Sequence, residues 1–153
     1  MKKKKVIEVF KSGHKDFQQL VKSLTANQIS NKEVSENWTV KDIIAHLSAW
    51  NFAQAKEIDN ILEGKSTWSK LYKTKKDWDE FNKNAVEERR DKNIKVIISE
   101  WESSFEKLIN RLDNLTEKEW NSNTHLHSLF HYEKEGLSDE GRHAQEVKKL
   151  FNL

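Results

Sequence analysis

The sequence predicts an all-α fold, a four-helix bundle built as one domain over residues 1–153, and three observations predict it. There is no proline and there are only four glycines, which favours long helices and leaves few turn signals for a sheet. Apolar residues recur at helical spacing in long stretches, with no convincing strand alternation between them. Ser or Thr followed three residues later by an acid or an amide, the form of a capping box, stands where those stretches or shorter turns begin.

The first helix is expected over about Lys4 to Leu24, with Val6, Phe10, Phe17, Leu20, Val21 and Leu24 buried. Gly13 marks a place where another element approaches closely. His14 reads as a partly exposed, hydrogen-bonded histidine. Thr25 with Gln28 is a cap, and Asn27 to Asn37 reads as a loop or a short turn of helix. The stretch NWTVKDIIAHLSAW then opens the second helix: Thr39 and Asp42 cap it, and Val40, Ile43, Ile44, Leu47 and Trp50 share one apolar stripe. This helix is expected to stop near Gly64, a good C-terminal residue. His46 borders that stripe, so it must be hydrogen-bonded, bound to a metal or destabilising.

Lys65 to Lys76 is a long connection in which Trp68, Leu71 and Tyr72 pack down, and Asp77 to Glu88, with Trp78, Phe81 and Ala85, reads as a helical piece leading toward the third long helix. Glu87 to Lys92 reads as a solvated face or turn. Ile94 to Leu115 carries the strongest helical periodicity, and Thr116 with Glu119 starts a further turn. Asn121 to Gly136 is irregular and holds His125, His127 and His131. Ser138 caps a last helix with the inward stripe Asp139, His143, Val147 and Leu150, and Asp139 and Glu140 favour its first turn.

The 27 basic and 25 acidic residues nearly balance, which argues against a nucleic-acid partner, and Lys2 to Lys5 reads as a solvated helix start. No apolar run nears the roughly 20 residues of a membrane span, and no secretory signal follows the lysines, so no membrane partner and a cytoplasmic location are expected. The absence of cysteine removes disulfides, thiolate metal ligands and a cysteine nucleophile.

Asp139 and His143, four residues apart on a helix, have the spacing by which two ligands share one metal. His46 is the third ligand if the bundle brings the two helices together. Two imidazoles and a carboxylate suit zinc, nickel, iron or manganese and leave positions open to water or substrate. A bland reading stands beside this one: Asp139 is a first-turn acid and the spacing arises by chance. His125, His127 and His131 are competing ligands. Trp50 and Trp78 read as core or pocket wall; Asn82 reads as a backbone cap or a polar anchor in a pocket.

The stretch Asn37 to Trp50 resembles the signature of the DinB/YfiT-like superfamily, a Trp-Ser/Thr pair followed by a basic-acidic pair and a histidine. FNKNAVEERRDKNIKVIISEWESSFEKLINRL is similar to the third-helix region of the DinB-like four-helix-bundle branch that includes the colibactin self-protection proteins. The resemblance implies an up-down-down-up bundle, often dimeric, that in many members holds a divalent metal with three histidines. His46 matches the one on the second helix and His143 the second of the last-helix pair; Asp139 stands at the place of the first. A carboxylate there either replaces the imidazole or marks a metal-free member. The resemblance also implies thiol-transferase, isomerase or hydrolytic chemistry, or sequestration of reactive metabolites. The leading expectation is a metal-dependent enzyme acting on a small electrophile in a pocket between the helices. Its rivals are a metal-free small-molecule-binding module and a structural, dimerising bundle.

Overall fold

The protein is represented by a computed structural model, which describes residues 1–35, 37–66, 68–130 and 136–153. Helix α1 spans Lys3–Ser23 and α2 spans Ala26–Asn31, opened by the Thr25–Gln28 capping box. Strands β1 (Glu33–Ser35) and β2 (Trp38–Thr39) then pair antiparallel, where the sequence suggested a loop or helical turn and no strand. Strands of three and two residues are too short to display a period of two. Asn37, with φ at 68°, takes the left-handed conformation that Asn tolerates in a tight turn.

Helix α3 (Val40–Leu62) ends at Glu63, followed by Gly64 with φ at 71°. Short α4 (Trp68–Leu71) and α5 (Lys75–Arg89) follow, α5 being opened by a Thr74–Asp77 capping box. Helix α6 covers Ile94–Asp113, α7 Glu117–Asn121, α8 Thr124–Leu129 and α9 Asp139–Phe151. The fold class is all-α. Helix α5, at 15 residues, is longer than α9, at 13, so a count of long helices does not single out four. Part of the supposedly irregular stretch after Asn121 is helical as α8, capped by Asn123, while His131 lies outside the described residues.

Helix α3 packs along α6 and α1 along α9, α1 also meets α6 and α3 meets α9, and α5 lies against α3. The core falls into two apolar clusters. One gathers Val6, Ile58, Phe105, Leu108, Leu112, Trp120 and Phe130; the other gathers Phe17, Ile43, Ile44, Leu47, Ile97, Trp101 and Val147. Along each helix the change from one cluster to the other falls at a polar residue: His14 on α1, Asn51 on α3 and Ser104 on α6. The site described next lies at this seam. Three expectations about packing fail: Leu71, Asp139 and Leu150 are exposed.

Candidate metal centre and pocket

The Thr39–Asp42 box is present in both directions: Asp42 N–H donates to Thr39 Oγ1 at 3.2 Å, and Thr39 N–H donates to Asp42 Oδ2 at 3.0 Å. It sets where α3 starts, and two turns later His46 is buried with its ring tilted against Trp38. Asn82 on α5 fixes the orientation of the His46 ring. Trp50 Nε1–H, which can only donate, gives its proton to Asn82 Oδ1 at 2.6 Å. The same oxygen therefore accepts from His46 Nδ1 at 2.8 Å, and His46 Nε2 is turned toward α9. Of the two roles considered for Asn82, these bonds are those of the polar anchor.

On α9, Asp139 is both the first-turn acid and a neighbour of His46, with 3.1 Å between Asp139 Oδ2 and His46 Nε2. Arg142 Nη2 donates to Asp139 Oδ1 at 2.8 Å and to His143 Nε2 at 3.1 Å. A guanidinium has no lone pair to offer, so His143 Nε2 is the acceptor and its proton sits on Nδ1. Among the described residues that Nδ1 is buried without a partner; Glu146 Oε2, at 3.7 Å, is beyond hydrogen-bond distance. Desolvation pushes the His143 imidazole down to about 4, with His46 and Arg142 acting in the same sense against Asp139, so it is neutral at neutral pH. Desolvation acts to raise the Asp139 carboxyl, but the bond from His46, the nearby His143 and Arg142 outweigh it and hold it well below the usual carboxylate range.

These residues fit a divalent ion. One ligand atom from each of His46, Asp139 and His143 lies within 4.8 Å of the other two. Both Nε2 atoms face the carboxylate, the Nδ1 side of His46 is held by an amide oxygen as metal-bound histidines usually are, and His143 is neutral, as a ligand must be. The 3.1 Å between His46 Nε2 and Asp139 Oδ2 is close to the roughly 3.3 Å that separates two ligands of a tetrahedral ion bound at about 2.0 Å.

His46 and Asp139 also line a cavity of about 390 Å³. Trp50, Trp68 and Trp78 form its aromatic side, joined by Phe10, Leu47, Phe105 and Leu129; Asn51, Gln54, Asn82, Ser128, Ser138 and Glu140 supply polar atoms. The Trp50 ring stacks on Trp78 at 4.7 Å and touches Trp68, Tyr72 and Phe81. Trp50, Trp78 and Asn82 are thus all on the cavity wall. His125 is exposed, and His127 Nε2 bonds the Trp120 carbonyl at 2.8 Å; neither is in the group around His46.

A family model, described as DinB superfamily, matches residues 10–144. The chain belongs to the DinB superfamily. No curated protein and no solved structure matches it. The span shared with the DinB superfamily contains His46, Asp139 and His143 and, among the described residues, all of the cavity wall.

Within this DinB-superfamily chain, the sequence reading missed a second polar group beside the first. Glu140, buried at 5 % exposure, accepts from Trp101 Nε1 at 2.9 Å and Asn51 Nδ2 at 3.3 Å, and its Oε2 lies 2.7 Å from His14 Nδ1. The other nitrogen of His14 faces Glu102 Oε2 at 3.1 Å, and Phe105 stacks flat on the ring. His14 is therefore not the partly exposed histidine expected: it is buried between two carboxylates and donates to both. Desolvation would lower its pKa, but the bonds and charges of Glu140 and Glu102 outweigh that and raise it above 6.5. The inward face of α9 is accordingly Glu140, His143, Ala144 and Val147. Small residues were the available signal: Gly13, Gly141 and Ala144 mark where α1 and α9 touch, and a face through Gly141 and Ala144 also carries Glu140.

Proposed function

We propose that this chain is a metal-dependent DinB-like enzyme that uses a water or a small thiol to attack a small electrophilic metabolite held in the 390 Å³ cavity. What carries the reading is the convergence of two imidazole Nε2 atoms and a carboxylate at the wall of a cavity with an aromatic side. His46 Nε2, Asp139 and His143 Nε2 would hold the ion, which when bound supplies a Lewis acid able to lower the pKa of a water or thiol. The chain's own residues do the rest. Asn82 and Trp50 keep His46 Nε2 aimed at Asp139. The Trp50, Trp68 and Trp78 rings bind the apolar body of the substrate and exclude water. Among the described residues no Lys or Arg lines the cavity, so the reading favours a neutral substrate over an anionic one.

The rival, a metal-free binding module, uses the same aromatic wall and makes no use of the way His46 Nε2 is aimed at Asp139. Consumption of a model electrophile with a simple thiol, followed with and without added zinc, nickel or manganese, separates the two. The enzyme reading expects a metal-stimulated rate that falls at least about a hundredfold in His46→Ala, in line with the loss of a metal ligand or its support. Substrate binding without any metal-stimulated turnover favours the rival.

A further inference from the structure

Arg142 sits on the atoms a metal would use. Its Nη2 donates to Asp139 Oδ1 at 2.8 Å and to His143 Nε2 at 3.1 Å, which engages two of the three candidate ligands. Its Nη1 reaches Glu146 Oε2, one turn further along α9, at 3.4 Å. A guanidinium is permanently charged and can only donate. A lone pair of His143 Nε2 given to an N–H is not available to an ion, and a fixed positive charge beside a divalent ion opposes its binding.

We propose that Arg142 is the resident cation of this centre and competes with the metal for it. Ion entry requires the guanidinium to leave Asp139 and His143, and Glu146 provides an acceptor on the outer side. The arginine can make this exchange because its side chain is 40 % exposed, so leaving the site strands no buried charge. The tautomer of His143 does not change in the exchange: Nε2 accepts from Arg142 in one state and binds the ion in the other, with the proton on Nδ1 throughout. Asp139 gives the arginine a partner three residues away on the helix. The result is a site that holds its ligands in order without metal and loads only when the free ion outcompetes an internal cation. The inference rests on the ligand set proposed above.

Titration with cobalt(II), read by visible absorption in competition with a chelator, tests it on the full chain and on Arg142→Ala, Arg142→Gln and His46→Ala. Arg142→Ala is expected to bind cobalt at least about tenfold more tightly than the unaltered protein, a factor equivalent to about 1.4 kcal/mol. Arg142→Gln, which keeps a donor and loses the charge, falls between them. Because Arg142 is half-exposed, its variants keep the far-ultraviolet dichroism and melting behaviour of the parent. Cobalt binding by Arg142→Ala alone, abolished when His46→Ala is added, also supports the proposal. Equal or weaker binding by Arg142→Ala overturns it. If the parent and Arg142→Ala bind equally and His46→Ala does not bind, the ligand set survives and only the competition is wrong. If no variant binds cobalt, the ligand set fails and the competition fails with it.

Discussion

Glu140 is the buried charge on which the most side chains depend: Trp101, Asn51 and His14 all give it a hydrogen bond. Removing one partner of such a group leaves the others desolvated and unpaired, so Glu140→Ala is expected to cost roughly 3–5 kcal/mol in urea denaturation, and Glu140→Gln less. A loss below about 1 kcal/mol would mean that water replaces the carboxylate readily. The same cluster sets a pH dependence. The folded state raises the pKa of His14, so the folded protein binds that proton more tightly than the unfolded chain does. The stabilisation is complete below about 6.5 and is lost as pH rises through the higher folded value. Denaturation midpoints of the parent relative to His14→Gln should therefore converge as pH rises above about 6.5; a constant gap would contradict the assignment. At this scale the sequence was only partly legible. His46 could be picked out because a polar residue interrupted a clear stripe. Glu140 could not, because an acid in a first helical turn already has a sufficient explanation.

At the scale of elements, the contact between α1 and α9 depends on two glycines. A Cβ added at Gly13 would stand 2.1 Å from Ser138 Oγ and 2.8 Å from the Gly141 nitrogen, the two atoms that make the cap of α9. Gly13→Ala therefore pushes α9 away, and with it Asp139, Glu140 and His143; the expected cost is about 1–3 kcal/mol by thermal or urea denaturation. The sequence had marked Gly13 as a site of close approach, and capping boxes placed the starts of α2, α3 and α7 within a residue. Helix α5 was legible over Asp77 to Glu88, within two residues of its bounds, whereas the short strands and α8 were not, because elements of this kind are set by turn chemistry and packing more than by their own periodicity.

For the whole molecule, two apolar clusters leave a polar seam across the helices, and both the cavity and the candidate metal centre open on it. The separation explains how a chain with so polar a composition keeps stable core on either side of a site that needs charged groups. An all-α class and the membership of residues 10–144 in the DinB superfamily follow from pattern alone, whereas the meeting of α3 and α9 is a tertiary event that no spacing along the chain encodes. Among the described residues no helix is long and apolar enough to cross a membrane, as the hydropathy suggested. The central claim is that this meeting makes a metal centre. Elemental analysis of the purified, untagged protein, equilibrated with zinc, nickel, iron or manganese and then freed of loose ions, tests it beside His46→Ala. About one ion per chain in the parent and none in the variant is the predicted result. No retained ion in either, or the same content in both, would contradict it.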